Sequence, residues 1–286
     1  MNKGYRANFK QVWRSMSLRF KIGLGIVIAF FIIGFVVYLF SPGSVMTLSA
    51  FKKNQAPSWE HLLGTNKQGQ DIFWLLIESI HNSMILGVVV AAAATAIGVL
   101  VGLLAGFIGG AVDRAIMLLC DSVIVIPSLP ILILLGALLR GRATTMMIAA
   151  ILIIFNWPWP ARQARSMALT IREREFVNTA RFSGESTLKI VCVEIVPHVL
   201  SWAMANFVNT ILVAIGSEAS LAVLGLSSTT TPTLGNMIYW ARQYQAIMKK
   251  QWIWIGSPVL ATSILFIGLF LTYTGYNEYV AKKRGR

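Results

Sequence analysis

Charge is scarce in this chain. Of its 286 residues only 13% are Asp, Glu, Lys or Arg, whereas 56% are apolar. A soluble domain of this length needs far more polar surface to cover its core, so a freely soluble fold is excluded. Acids are the scarcer of the two signs, 11 against 25 Lys and Arg, for a formal charge of +14. The basic residues stand in short clusters between long apolar runs, with no basic, aromatic-interleaved domain beside them, which argues against nucleic acid as a partner. There are two cysteines, Cys120 and Cys192, and three histidines, His61, His81 and His198. Two cysteines supply no disulfide framework, and the scattered histidines lack the spacing of a metal site or of a membrane enzyme's catalytic group. No lysine follows a glycine, so the phosphate-cradling loop of a P-loop NTPase is missing.

Long apolar runs are what the chain does have. A bilayer core takes about 20 apolar residues as helix, and six runs approach that length: 22–40, 83–110, 115–139, 143–161, 199–217 and 251–277. The first follows a basic stretch ending at Lys21, exceeds a secretory h-region and lacks a small-x-small cleavage site, so it reads as a retained span. Gly98, Gly102, Gly106 and Gly110 recur at near-helical spacing in the second run, which predicts close helix–helix packing. Pro127 and Pro130 interrupt the third; a kink beside a water-filled path and a plain kink both fit. Trp157, Trp159, Trp252 and Trp254 are expected at headgroup level. The gaps between runs hold 17 Lys and Arg on one side and 8 on the other. The positive-inside rule therefore places both termini in the cytoplasm. The predicted class is an all-α membrane protein with six transmembrane helices. Segment 41–70 lies outside, as does the Thr-rich 227–250 with a short amphipathic stretch at 238–248.

The gap 162–197 carries the sharpest information. Good helix formers fill 173–182, Ser183-Gly184 interrupts them, and 186–195 is helical again until Pro197 stops or kinks it. A short helix, a glycine turn and a second short helix suit docking into a groove of a soluble partner.

At this point the sequence resembles a known family. Glu175-Phe176-Val177-Asn178-Thr179-Ala180-Arg181, then Gly184, then Ile195-Val196-Pro197 is similar to the "EAA" loop of binding-protein-dependent ABC permeases. The triplet's glutamate is absent, with Asn178-Thr179-Ala180 in its place, and Glu194 and His198 replace the usual histidine and asparagine at the loop's end. Five further segments follow the order of the C-type subunit of dipeptide/oligopeptide permeases. The first runs from His61 through Gly64-Thr65-Asn66 to Asp71. The second is Gly102-Leu103-Leu104-Ala105-Gly106 with Asp113-Arg114, and the third is Asp121 with Ile126-Pro127. Trp157 with Ala161-Arg162 comes next, then Glu218-Ala219-Ser220-Leu221 with Leu224-Gly225-Leu226 and Gly235-Asn236-Met237. The branch's terminal G-D-x-L-R-D is not matched, since Gly275-Tyr276-Asn277-Glu278 stands there.

The resemblance implies a type I ABC importer permease in a prokaryotic inner membrane. Residues 1–72 would form the cytoplasmic N-terminus, first transmembrane helix and extracytoplasmic segment. Residues 73–286 would form a five-helix permease core with a cytoplasmic coupling loop at 162–197. Glu175, Asn178, Thr179, Ala180, Arg181 and Gly184 are the implied ATPase-docking residues, while Arg172 and Arg174 read equally well as positive-inside charges. Asp121 and Glu218, the two acids within spans, either pair inside the bundle or line the pathway. The implied partners are a homologous B-type permease subunit, two cytoplasmic ATPase subunits, an extracytoplasmic substrate-binding protein and the lipid bilayer. The chain itself would bind no cofactor; ATP and Mg would sit on the ATPases. The implied cargo is oligopeptides or solutes of similar size, such as oligosaccharides. The alternative is an ion-coupled secondary transporter, which calls for midplane acids and an inverted repeat. Only Asp121 and Glu218 could serve it, and no repeat is visible.

Overall fold

The computed structural model describes residues 13–43, 45–139, 143–228 and 231–284. Lys3, Arg6, Lys10, Arg140, Arg142 and Arg286, which entered the count of basic residues, lie outside the described residues, as do the first twelve residues of the expected 1–72 unit. Every element among the described residues is helical. Helix α1 (Leu18–Phe31) runs without interruption into a π turn (Ile32–Val36) and a 3-10 turn (Val37–Phe40). An irregular cap segment, 41–71, leads to α2 (Ile72–Ile108), whose 37 residues span about 55 Å at the α-helical rise. After it come α3 (Gly110–Val125), α4 (Ser128–Leu139), α5 (Thr145–Asn156), α6 (Pro158–Ile171) and α7 (Glu175–Phe182). The short α8 (Thr187–Lys189) continues through a π stretch (Ile190–Ile195) into α9 (Val196–Val223). A short α10 (Leu234–Gln243) and the long α11 (Trp252–Arg284) complete the chain.

Among the described residues, four helices are long and apolar enough to cross a membrane: Leu18–Phe40, Ile72–Ile108, Thr187–Val223 and Trp252–Lys282. The pair α3 and α4, bent by 75°, makes a fifth if taken as one span. The bend falls at Ile126-Pro127, whereas Pro130 sits in the first turn of α4, where a missing N–H is tolerated. The expected run 143–161 is not one long helix. Pro158 and Pro160 supply no N–H to the carbonyls of residues 154 and 156, and the chain divides at Trp157 into α5 and α6.

Three local expectations need correction. The second short helix does not end at Pro197, because the wider π turn before it removes the clash between the proline ring and the preceding carbonyls. Helix α2 starts well before residue 83, because Asp71 caps it by accepting from the N–H groups of Phe73 (2.8 Å) and Trp74 (3.1 Å). Helix α10 likewise starts at Leu234 rather than 238, since the Thr233 hydroxyl accepts from Asn236 N–H at 3.1 Å.

Helix α2 forms the centre of the bundle. Its middle packs on α9 and α11 through Ile80, Met84, Ala91, Ile211, Ile215 and Leu265. Asn206 of α9 donates to Thr95 of α2 at 3.0 Å, an interhelical bond worth about 0.6 kcal/mol in a membrane bundle. On another side α2 meets α6 with almost nothing between the backbones. A Cβ at Gly98 would lie 2.6 Å from the Trp157 carbonyl and one at Gly106 2.7 Å from that of Arg165, while one at Gly102 would run into the Ala161 carbonyl. Gly98, Gly102 and Gly106 therefore form a packing stripe, whereas Gly110, the fourth glycine of the spacing, opens α3 and an added Cβ there meets nothing within 4 Å among the described residues. The outer pair, α1 and α11, uses the same device at Gly23, Gly268 and Gly275, and Arg19 pairs with Glu278 at 2.9 Å.

Replacing Gly102 by Ala should cost about 1–3 kcal/mol through overpacking, read as a lower thermal midpoint of the detergent-solubilised chain. Gly25→Ala, whose Cβ meets nothing within 4 Å, should leave that midpoint unchanged.

Candidate functional site

Helix α7 has two faces because only some of its side chains reach the bundle. Val177 is buried, and Phe176 and Ala180 pack partly against Leu103, Phe107, Ala164, Ala168, Ile190 and Ile195. The Arg181 guanidinium lies over the Phe107 ring, 4.5 Å from its centroid, a cation–π contact that fastens α7 to the end of α2. The Phe176 ring stacks on His198 at 4.9 Å. Arg172 donates to the Gly106 carbonyl at 3.0 Å, which ties the end of α6 to the glycine stripe. Of the two ambiguous arginines, Arg172 thus has a structural partner.

The turn after α7 is a Schellman motif. Gly184 N–H donates to the Arg181 carbonyl at 3.0 Å and Glu185 N–H to that of Ala180 at 3.2 Å. The motif needs a left-handed residue at Gly184, whose φ is +75°. A Cβ there would meet nothing within 4 Å among the described residues, so the requirement is conformational and those residues leave the space beside the turn open. Ser186 then caps the next turn by accepting from Lys189 N–H at 3.4 Å, and Lys189 pairs with Glu185 at 2.7 Å.

Of the residues expected to dock, Glu175, Thr179, Arg181 and Gly184 are exposed, whereas Asn178 and Ala180 are half-buried. Two side chains that the motif did not single out are more prominent. Phe182 is 91% and Leu188 63% exposed, on either side of Gly184. An apolar pair flanking an open turn is the composition of an interface centre rather than of a solvated loop. The available signal was the apolar character of residues 182 and 188 within an otherwise polar stretch.

Beneath this element, Asp113 accepts two bonds of 2.6 Å from Arg165, the bidentate geometry that makes such pairs strong. Asp121 accepts from Arg162 at 2.6 Å, and both side chains stay largely exposed. These four residues line a polar cleft between α3 and α6. Glu218 is elsewhere. At 1% exposure it accepts from the hydroxyls of Ser227 (2.8 Å) and Thr233 (2.9 Å), inside a sealed corner where Asn82 also donates to the Pro232 carbonyl at 2.9 Å. The two acids singled out in the sequence are therefore not brought together. One lies in an open cleft and the other in a closed hydrogen-bonded pocket.

Segment 61–71 also acquires a role that its pattern alone did not show. His61 bonds Asp71 at 2.7 Å, and Asn66 accepts from the N–H groups of Gln68 (2.9 Å) and Gln70 (3.0 Å). Together they make a rigid cap on the start of α2. Of the tryptophans expected at the interface, Trp159 and Trp252 are exposed, but Trp254 is buried. It packs with Ile72, Leu75, Met237 and Ala246, against the Tyr244 ring at 5.7 Å.

Residues 98–286, more than half of the chain, match the family described as binding-protein-dependent transport system inner membrane component. The chain belongs to this family. It is accordingly a multi-pass inner-membrane component of a bacterial transport system. It is similar to the oligopeptide transport system permease protein OppC of Mycobacterium bovis, 31% identical over 171 residues, 60% of this chain and 59% of that protein. The match thus spans less than two thirds of that relative's length. OppC of Lactococcus lactis is 29% identical over 213 residues, 73% of this chain and 72% of the relative. The glutathione transport system permease protein GsiD of Shigella dysenteriae is 33% identical over 225 residues, 78% and 70% respectively.

In this permease component the Asp113–Arg165 pair holds α3 to α6 under the loop, and it should be energetically coupled. A double-mutant cycle with Asp113→Asn and Arg165→Gln, read by thermal unfolding in detergent, should give about 1.5 kcal/mol of interaction. The exposed Asp121–Arg162 pair should give about 0.5 kcal/mol or less.

Proposed function

We propose that this chain is the non-catalytic permease subunit of an ATP-driven ABC importer for oligopeptides or similar-sized solutes such as oligosaccharides. It forms half of the translocation pathway with a homologous B-type subunit. The oligopeptide and glutathione permeases among its relatives support a peptide-sized cargo. ATP and Mg belong to two ATPase subunits that dock on the exposed turn at Gly184, and an extracytoplasmic binding protein delivers the cargo. The observation that carries this reading is the Phe182–Gly184–Leu188 element: exposed and apolar at its tip, yet locked to the bundle through Val177 and Arg181. A tip free to meet a partner and a base that cannot slip are what a lever requires. Closure of the ATPases moves α7, and α7 moves α2 and α6 through Phe107 and the glycine stripe. The pathway thereby shifts from inward-facing to outward-facing.

Six spans are part of the same proposal, with the bent pair α3–α4 as the third and α5 with the start of α6 as the fourth. Both termini and α7 then lie on the cytoplasmic side. The Arg19–Glu278 pair supports this, since it brings the start of α1 and the end of α11 to one face.

Gly184→Val should uncouple ATP hydrolysis from uptake in the reconstituted transporter while membrane insertion stays intact, because a β-branched residue resists the left-handed conformation. Phe182→Glu should weaken co-purification of the ATPases. Normal uptake and normal association in both variants would count against docking here.

Topology has its own check. A Lys52→Cys substitution in a Cys192→Ser background, which removes the exposed native thiol, should react with an impermeant maleimide added outside the cell. Reaction only after permeabilisation would overturn the orientation.

A further inference from the structure

The face opposite α7 holds a cleft that neither the docking element nor the polar cleft explains. Its volume is about 610 Å³, and it is bounded by the cap segment and the start of α11. Ile72 and Trp252, the first residues of α2 and α11, both line it. Trp252 begins α11 at the start of the apolar run 251–277, so the cleft stands at the end of that candidate membrane span.

Its chemistry is one-sided. Lys67, Lys249 and Lys250 line it, and no carboxylate among the described residues does. Lys67 lies so close to Lys249 that it holds the latter's ammonium pKa below the usual lysine value. Ammonium groups held together with no acid between them favour an anion in the space they share. A second feature points the same way. Trp254, 1% exposed, lines both this cleft and the neighbouring cavity beside Met237, and its indole N–H has no acceptor among the described residues; Gln251 Oε1, also in the cleft lining, likewise has no donor among them. That N–H can only donate, so it too calls for an acceptor. Beside it Trp252 is 60% exposed, as befits a headgroup-level anchor. Ile253, Val259 and Leu260 continue an exposed apolar strip along α11.

We propose that this cleft binds the phosphate headgroup of an anionic phospholipid, held by Lys67, Lys249 and Lys250 with the Trp254 indole N–H as a further donor. A lipid, rather than a free anion, accounts for the level of the cleft and for the apolar strip, along which acyl chains can lie. Lysines at the end of a span attract anionic lipid for the same electrostatic reason. The bound headgroup would bridge the cap segment, which carries Lys67, to α11. This inference rests on the membrane spans and not on the importer assignment.

The test uses the full-length chain in nanodiscs of phosphatidylglycerol mixed with phosphatidylcholine, released into native mass spectrometry. The wild type should retain one phosphatidylglycerol, and Lys67→Gln/Lys249→Gln/Lys250→Gln should lower its occupancy by about tenfold or more. Trp254→Phe, which removes the donor together with part of the buried ring, should lower it to a lesser extent. Lys52→Gln/Lys53→Gln, whose lysines do not line the cleft, should retain the lipid, and helical circular dichroism should match across variants. Equal retention of phosphatidylcholine, or unchanged retention in the triple variant, would overturn the proposal. Lysine footprinting provides a second arm. Protection of Lys67 and Lys249 by millimolar inorganic phosphate as effective as that by phosphatidylglycerol would also overturn it, in favour of a free anion. Protection that arises only with an acidic soluble protein would do the same in favour of a protein partner.

Discussion

Where Gly98, Gly102 and Gly106 meet the carbonyls of residues 157, 161 and 165, two helix backbones touch, with only the Pro160 ring and the Ala168 methyl packed beside the contact. In a bilayer no hydrophobic drive pulls helices together, because lipid tails are as apolar as the side chains; association depends on close packing and interhelical hydrogen bonds. The α2–α6 contact supplies the first, and its closeness permits the second. Arg172 reaches the Gly106 carbonyl, and Arg165, on the same helix, reaches Asp113. Phe107, one residue beyond the stripe, becomes the platform for Arg181. The posture of α7 and of the Gly184 turn is thus a consequence of three missing side chains on α2.

Polar groups obey a related constraint. Ionisable groups within spans are tolerated where a partner or water satisfies them. Asp113 has a bidentate arginine, Asp121 has Arg162 beside an open cleft, and Glu218 has two hydroxyls in a closed one. Ion coupling between Asp121 and Glu218 has no geometric basis here, because the two acids occupy separate environments.

Much of this was legible from residues alone. Apolar run length marked the membrane helices, and four-residue glycine spacing marked a packing face. Ser183-Gly184 between two helical stretches marked an exposed turn. Boundaries were less legible, since they depended on side chains reaching backbone groups. Asp71 extends α2 toward its start, and Thr233 sets the start of α10. Pro197 looked like a stop, but a π turn widens the helix enough to carry it onward. Trp254 looked like an interface residue by type and position, yet the cap segment folds over it.

The sequence by itself determined that this is a multi-span helical membrane protein with one information-rich loop. Composition, run length and residue spacing are properties of neighbours along the chain. Tertiary structure alone decided which helix receives the glycine stripe, which arginine pairs with which aspartate, and that Arg181 lies over the Phe107 ring while Phe182 and Leu188 are left uncovered. It alone gathered Lys67 beside Lys249, 182 positions later in the chain. Such pairings depend on how helices return past one another. Many partners are chemically equivalent along the sequence, and only the packed bundle selects one.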